Sequence, residues 1–266
     1  MIDFSTTFKT VTRTDTVGRW QPVTAQSTPH AMRSPPVAGG AQQIVPFDYP
    51  FSTGAIYDQG QQGSCTAQAG AKAAEMLDLQ LGLHREPLSR AFLYRTEQAR
   101  QGQIGVDCGG SSEEIIASLR TLGACRESLM PYNDRDLSSQ PSEAAFRDAA
   151  SRRMPDISWR MLYSLEEVLA ALQQYKPVIF GRLIGAETQQ WNKGDAPITN
   201  VNLNRIEGGH ELVIKPQIRL DNEGQIILRI INSWGANWGD NGEFEVRTDY
   251  VFGEGVSGLF AIERAA

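Results

Sequence analysis

The chain has few cysteines, no long apolar run and no cluster of positive charge. Its 266 residues include three cysteines, Cys65, Cys108 and Cys125, which are too few for a disulfide scaffold. No apolar run approaches the ~18 residues of a membrane-spanning helix. The net charge is −6 and no run of Lys or Arg exceeds two residues. We therefore expect neither nucleic acid nor a membrane as the main partner.

Neither a secretory signal nor a pair of metal ligands is visible. Residues 1–9 contain no apolar core of the ~7–15 residues that a signal requires. We therefore expect a chain that stays inside the cell, leaves it by a signal-less route or has lost a leader. No Cys-x-x-Cys or His-x-x-x-His pair occurs, so we expect no metal and no other cofactor. Cys108 and Cys125 flank a predicted helix whose ends lie roughly 15–20 Å apart, too far for a disulfide.

Residues 1–46 differ in composition from the rest of the chain. They are rich in Thr, Ser, Pro and Gln and show no helical periodicity, so we interpret them as an N-terminal extension. The globular domain is predicted over 47–266. It divides into a helical lobe at about 55–155 and a β lobe at about 156–263.

Apolar periodicity predicts five helices followed by short strands. Spacings of three and four residues indicate the helices, and Ser164 with Glu167 forms a capping box. Helices first and antiparallel strands later indicate an α+β fold whose two lobes face each other across a cleft. The predicted helices are 65–81, 88–100, 111–122, 141–153 and 164–175, and the predicted strands are 177–184, 210–220, 225–232 and 242–246.

Cys65 is the candidate nucleophile. It follows Gly63-Ser64 at the start of the first predicted helix, where the positive end of the helix dipole favours a thiolate. Most lone cysteines are small buried residues. The catalytic interpretation therefore depends on suitable partners elsewhere in the chain.

Two later segments supply those partners. His210 opens an apolar strand, and an imidazole there would take the thiol proton and later protonate a leaving amine. Asn232 would bind the far ring nitrogen and hold the working tautomer, with Trp234 shielding that hydrogen bond from water. The structural alternatives are a histidine at a strand start and a turn beside a core aromatic. The competing histidines, which come without an orienting partner, are His30 and His84.

Gln59, six residues before Cys65, is the candidate oxyanion donor. Its side-chain amide and the backbone N–H of Cys65 would together stabilise the negative oxygen of a tetrahedral intermediate. Gln61 and Gln62 lie in the same glycine-rich loop. Spacing alone does not choose among the three glutamines.

Together these segments resemble the papain family of cysteine peptidases, and several details resemble its bacterial members. The resemblance implies a papain-like two-lobe fold, a helical lobe plus an antiparallel β-barrel-like lobe, with the active-site cleft between them. It also implies peptide hydrolysis through a thioester, with the four candidate residues in the roles given above. It spans about residues 47–263. The segments that carry it are Gln59-Gly60, Gly63-Ser64-Cys65, Gly109-Gly110, His210, Asn232-Ser233-Trp234-Gly235, Trp238-Gly239, Gly242 and 255–260.

The resemblance also implies where an extended peptide substrate lies. The backbone of Gly110 would pair with the substrate and add a strand to it. Gly208, Ser111 and Ile262 occupy the positions of the main specificity pocket, for which we expect a medium-sized apolar residue two positions before the cleaved bond. The substrate-binding residues implied in this way are Gly109, Gly110, Ser111, Gly208, Gly209, Trp234 and Ile262.

The chain departs from the family pattern at several of these positions. Thr66 replaces the usual tryptophan after the nucleophile, so helix packing beside the thiol must differ. Gln62 and Ser257 stand where many members carry disulfide cysteines. Ser111 and Ser112 replace an aromatic–proline wall and leave that side of the pocket polar.

The N-terminal extension is shorter than the family's inhibitory segment and lacks its helical pattern. Forty extended residues at ~3.3 Å each cross a two-lobe cleft several times over. We expect part of residues 10–45 to lie in or over the cleft as a ligand that restrains activity. A plain linker is the alternative.

The same candidate residues are compatible with other functions. A glutamine deamidase or acyltransferase would use the same apparatus on a side-chain amide. A non-catalytic peptide-binding module would keep the fold without the chemistry. An exopeptidase would need an inserted loop to grip a substrate terminus, and the sequence shows none with histidines.

Overall fold

The fold consists of helices packed on both faces of one antiparallel sheet. The computed structural model describes residues 44–83 and 86–264. The α-helices of this part are α1 (Cys65–Gln80), α2 (Arg90–Arg100), α3 (Ser112–Thr121), α4 (Glu143–Ser151), α5 (Leu165–Gln173), α6 (Ala186–Gln189) and α7 (Thr248–Phe252). The strands are β1 (Ile157–Met161), β2 (Val178–Gly185), β3 (Ile206–Leu220), β4 (Ile226–Ile231), β5 (Glu243–Arg247) and β6 (Val256–Arg264).

The sheet has six strands in the order β1-β6-β2-β3-β4-β5, with β1 and β5 at its edges. Every neighbouring pair is antiparallel, and Arg182 on β2 lies opposite His210 on β3. Helices come first along the chain and most strands come later, so the predicted α+β fold is confirmed.

Two hydrophobic cores fix the sheet from opposite sides. Side chains alternate along β3, so that Val213 belongs to the core shared with α1, α2 and α3, whereas Leu212 and Ile214 belong to the core shared with α5 and α7. Each fully buried aliphatic side chain contributes ~1.5–3 kcal/mol. The same alternation sends His210 and Glu211 to opposite faces of the sheet.

Serine caps define the starts of four helices but not of α1. Each cap accepts a hydrogen bond from a backbone N–H in the first turn, a contact worth ~1 kcal/mol. Ser64, which precedes Cys65, makes no such bond, so the first-turn N–H groups of α1 remain available at the thiol. The capping serines are Ser89, Ser111, Ser142 and Ser164, of which Ser164 was predicted.

The five predicted helices and four predicted strands are present, within two residues at most ends. The strand β1 and the short helices α6 and α7 were not predicted, because segments of four or five residues carry too little periodicity. All three cysteines are free, which confirms that Cys108 and Cys125 form no disulfide. Among the described residues, no helix is both long and apolar enough to cross a membrane.

Candidate active site

Cys65 is the first residue of α1 and is half-buried. The first turn of this helix carries no acidic side chain, so no charge on the helix itself opposes the positive end of its dipole at the thiol. Backbone N–H groups of Glu211 and Thr66 also act on Cys65 and favour its thiolate. Because Glu211 is the neighbour of His210 on β3, the start of α1 and the start of β3 meet at one place.

His210 and Asn232 are joined by a hydrogen bond. The Nε2 of His210 lies 2.7 Å from Asn232 Oδ1, and the same oxygen accepts the backbone N–H of Ser233 at 2.8 Å. An oxygen that accepts both bonds requires Nε2 of the imidazole to carry the hydrogen. In the neutral ring, Nδ1 is therefore the unprotonated nitrogen that can take a proton.

Trp234 covers the His210–Asn232 pair. Its indole stacks on the imidazole with ring centroids 4.9 Å apart and an interplanar angle of 21°, and Trp238 packs edge-on against its other side. His210 is 6% exposed. Excluding water strengthens the hydrogen bond that holds the ring, which is the role predicted for this tryptophan.

Backbone pairing connects the loop before Cys65 to the loop after Asn232. The N–H of Gln59 donates to the carbonyl of Ser233 at 2.8 Å, and the N–H of Gly235 donates to Tyr57 at 2.8 Å. Gly235 adopts φ +77°, a conformation that disfavours residues with a side chain. These bonds fix the candidate nucleophile and the candidate orienting residue relative to each other.

Side-chain contacts distinguish Gln59 from the other loop glutamines. Its Oε1 accepts the hydroxyl of Ser233 at 2.6 Å, and its Nε2 donates to the carbonyl of Gln62 at 3.0 Å. One hydrogen of Nε2 is left for a ligand. Gln61, by contrast, is exposed. Gln59 is therefore the glutamine with an oriented side-chain donor.

Burial acts against charge on both members of the candidate catalytic pair. It raises the pKa of Cys65 to about 12, and the negative charge of Glu211 adds to the effect. It lowers the pKa of His210 to about 4, an effect that the hydrogen bond donated by the imidazole to Asn232 Oδ1 partly offsets. Burial therefore favours the neutral form of each group. This differs from the expected lowering of the thiol pKa, because desolvation outweighs the helix dipole.

Thr66, which stands where the family usually has tryptophan, contacts the buried carboxyl of Glu97. Thr66 Oγ1 donates to Glu97 Oε2 at 2.9 Å, and burial raises the pKa of Glu97 well above its ordinary range. A Cβ on Gly110 would come within 2.5 Å of Thr66 Oγ1. The predicted difference in packing beside the thiol is thus a contact of Thr66 with Glu97 and Gly110.

A second buried carboxyl, Glu211, projects from β3 towards α3. It accepts a hydrogen bond from the Ser112 hydroxyl and is 8% exposed. Burial raises its pKa to about 7. Glu211 therefore changes charge near neutral pH, and that charge lies beside Cys65.

The titration of Glu211 predicts a specific dependence of stability on pH. Its pKa is raised from 4.5 to about 7 in the folded protein, so between these values the folded state binds more protons than the unfolded state. Rising pH then lowers the free energy of unfolding, and at ~1.4 kcal/mol per pH unit the loss reaches ~3 kcal/mol. Glu211→Gln should lack this loss.

Denaturant unfolding of the wild type and Glu211→Gln at pH 4.5, 6 and 7.5 measures the difference. The wild type should lose stability relative to the variant as pH rises, and the difference should level off above pH 7. The exposed neighbour Glu113 provides a control, since Glu113→Gln removes one charge that acts on Glu211 and should shift the pH dependence without abolishing it. If the free energy of unfolding changed with pH in the same way in the wild type and Glu211→Gln, the raised pKa of Glu211 would be wrong.

Asp107 joins the loop before Cys65 to the glycine pair of the predicted substrate groove. Its carboxylate accepts the N–H of Gly63 at 2.9 Å and the hydroxyl of Tyr94 at 2.5 Å. The same tyrosine oxygen accepts the N–H of Gly109 at 3.1 Å. This relay holds the Gly109-Gly110 backbone at a fixed position beside the start of α1.

The remaining predicted substrate residues lie at different depths. Gly208 and Gly209 are half-buried at the start of β3, and Ser111 is half-buried at the cap of α3. Ile262 has no exposed surface and belongs to the hydrophobic core, so as positioned it cannot contact a substrate. The competing histidines His30 and His84 lie outside the described residues, as does the extension up to residue 43.

Sequence reasoning missed several residues that position the site. The signals were weak, because an Asp two residues before Gly109 and a Tyr or Glu inside a helix are common features. Ser233 lay in the recognised segment, but its hydroxyl had no assigned partner. The missed residues are Tyr94, Glu97, Asp107 and Ser233.

The chain is similar to known cysteine peptidases in sequence and in structure. A family model described as papain family cysteine protease matches residues 49–257. A peptidase C1-like protein of Acanthamoeba polyphaga mimivirus is 26% identical over 216 residues, which cover 77% of this chain and 68% of that protein.

Two solved structures share the architecture. Xylellain, a cysteine protease from Xylella fastidiosa, superposes with a TM-score of 0.71 at 27% identity, covering 84% of this chain and 86% of xylellain. Bromelain from Ananas comosus, solved with the E64 inhibitor, gives a TM-score of 0.62 at 17% identity over 80% of this chain and 94% of bromelain. At that identity the likeness to bromelain concerns the fold alone.

Proposed function

Since the chain belongs to the papain family of cysteine proteases and is a cysteine peptidase, we propose that it cleaves internal peptide bonds through Cys65 and the His210–Asn232 pair. The observation that carries the proposal is the 2.7 Å bond between His210 Nε2 and Asn232 Oδ1 under the Trp234 ring. That bond presents an unprotonated Nδ1 of the neutral ring as the proton acceptor.

The reaction begins with a coupled proton transfer. The neutral thiol of Cys65 loses its proton to Nδ1 of His210 as its sulfur attacks the scissile carbonyl carbon. The carbon–sulfur bond forms and the carbonyl π electrons move to oxygen. When the tetrahedral intermediate collapses, the carbon–nitrogen bond breaks and the imidazolium protonates the leaving amine. Water activated by His210 then hydrolyses the thioester.

Gln59 stabilises the oxyanion in this proposal. The hydrogen of its Nε2 that is not bonded to Gln62 and the backbone N–H of Cys65 are the two donors. The bond from the Ser233 hydroxyl to Gln59 Oε1 fixes the amide orientation. A preoriented donor costs little reorganisation when the charge develops.

Blocked peptides with a fluorophore and a quencher on either side of the cleaved bond test the proposed activity. We expect cleavage at an internal bond, identified by product masses. A deamidase would instead convert a glutamine side chain with a mass gain of about 1 Da, and an acyltransferase would form a product that depends on an added amine. Binding without any product would favour the non-catalytic module.

We also propose that residues 1–46 are an extension to a peptidase domain at 47–266, with lobes at about 55–155 and 156–263. The extension enters the described structure near Phe47, which pairs with Ile218 on β3. Ile218 lies eight residues beyond His210, or ~26 Å along the strand. The preceding residues are numerous enough to return over that distance to the cleft.

Removal of residues 1–43 should raise kcat/KM for peptide hydrolysis severalfold, because a covering segment competes with substrate. Ile44 and Phe47 are retained in this variant, since both pack against the core. Kinetics are normalised to the concentration of reactive thiol in each preparation. Equal kcat/KM with equal thermal stability would show that the extension does not restrain the cleft.

A further inference from the structure

The carboxyl of Glu211 lies between the elements that border the predicted substrate groove. Oε1 accepts the hydroxyl of Ser112 at the start of α3. Oε2 lies 2.9 Å from the point where a Cβ on Gly181 would stand, beside the hydroxyl of Ser257. Ser257 is exposed, and Glu211 itself is 8% exposed. A side chain at position 181 would fill the space in front of Oε2.

Glu211 has no cationic partner of its own. In the two described stretches of the chain, Oε2 makes no hydrogen bond and no ion pair. Lys72 lines the same cavity of about 10 Å³ behind Glu211, but its ammonium donates to the carbonyls of Thr53 and Ala55. Oε2 is not one of the fully buried polar atoms without a partner in this part of the chain, and a ligand that reaches it and donates to it gains a charge-assisted bond.

We propose that Glu211 determines substrate specificity by binding the cationic side chain of arginine or lysine two residues before the cleaved bond. The inference rests on the proposed peptidase function, in which the substrate backbone lies against Gly110. It replaces the expected medium-sized apolar preference, because Ile262, one of the residues implied for the pocket, is fully buried, whereas Ser112 and Glu211 are polar. Arginine suits the site best, since its fork can reach Oε2 and the hydroxyl of Ser257 together.

The charges around Glu211 favour a cation over a neutral ligand. Negative charge comes from Glu113 on α3, which acts directly on Glu211. Glu97 on α2 also interacts with Glu211, but burial raises the pKa of Glu97 and favours its neutral form. Gly181 and Ser257, the neighbours on β2 and β6, are uncharged. The titratable groups nearest on the reacting side are Cys65 and His210.

A bound cation also affects the reaction. The charge of Glu211 contributes to the raised pKa of Cys65 after burial itself. A guanidinium paired with Glu211 cancels that charge and so favours the thiolate. We therefore expect arginine substrates to show a higher kcat as well as a lower KM.

Peptide binding and peptide hydrolysis can be measured separately. Blocked peptides that differ only in arginine, citrulline or leucine two residues before the scissile bond are titrated against Cys65→Ala at pH 8, and their kcat/KM is measured with the wild type. Citrulline keeps the shape of arginine without its charge. We expect arginine to exceed citrulline at least roughly tenfold in both measurements, and the ratio to fall near one when Glu211→Gln is added.

Glu113→Gln is the control, because it removes a nearby exposed carboxylate and should retain the arginine preference. Glu211→Gln keeps the size of the side chain, and a thermal melt confirms that it is folded. An equal arginine preference in the wild type and Glu211→Gln, or a leucine preference in the wild type, would overturn the inference. Arginine-selective binding without cleavage would support it while contradicting the proposed peptidase activity.

Discussion

Replacing Cys65 with alanine is expected to lower kcat/KM for peptide hydrolysis by at least ~10⁴-fold, because the variant cannot form the thioester. Cys65 begins α1 and is half-buried, and its sulfur interacts with the backbone N–H groups of Glu211 and Thr66, which are weak bonds because sulfur is a weak acceptor. The free energy of unfolding should therefore stay close to that of the wild type. Steady-state hydrolysis and a denaturant titration measure the two quantities on one preparation.

Cys125→Ala is the matched control for loss of a thiol. Cys125 is fully buried in the helical core and distant in the fold from the His210–Asn232 pair. Its replacement should change kcat/KM by no more than about twofold, with a small loss of stability from the missing sulfur. Residual hydrolysis by Cys65→Ala at a substantial fraction of the wild-type rate would exclude Cys65 as the nucleophile.

Replacing Gln59 with alanine is expected to lower kcat by about 10²–10³-fold with little change in KM, since one oxyanion donor is lost and the donor acts in the transition state. The side chain is 8% exposed and its Oε1 is bonded to Ser233. Gln59→Glu therefore provides a second variant of the same shape. It removes both amide donors and places a negative group near the oxyanion, so it should lose at least as much activity.

Gln61→Ala is the control within the same loop. Gln61 is exposed, and its contact with Asp134 uses the backbone N–H, which alanine retains. Its kinetic constants should match those of the wild type. If Gln61→Ala lost as much kcat as Gln59→Ala, the loop conformation would explain the loss better than the Gln59 amide.

The fold and the candidate catalytic set were accessible from the sequence for different reasons. Helices such as α1 and α3 carry strong periodicity and flanking caps, so local rules sufficed. Cys65 and His210 lie far apart in sequence, and only the resemblance to a family joined them. The choice of Gln59 over Gln61 needed the contact with Ser233, which no spacing rule reports.

The electrostatic state of the site was not accessible from the sequence. The dipole at the start of α1 predicts a lowered pKa for Cys65, whereas burial and the charge of Glu211 raise it. Desolvation depends on which elements pack together, and Glu97 reaches Thr66 only after α2 packs on α1. The surroundings of Glu211 were not accessible for the same reason, because Ser112 and Gly181 meet its carboxyl only after α3 and β2 pack beside β3.

Labelling with a peptidyl epoxide that reacts with activated thiols shows whether Cys65 is a nucleophile that depends on His210. The adduct is located by intact mass and peptide mapping in the wild type, Cys65→Ala and His210→Ala. We expect a single adduct on Cys65 in the wild type and none in either variant. A folded wild-type protein that stays unlabelled, or that is labelled equally on Cys108 or Cys125, would contradict it.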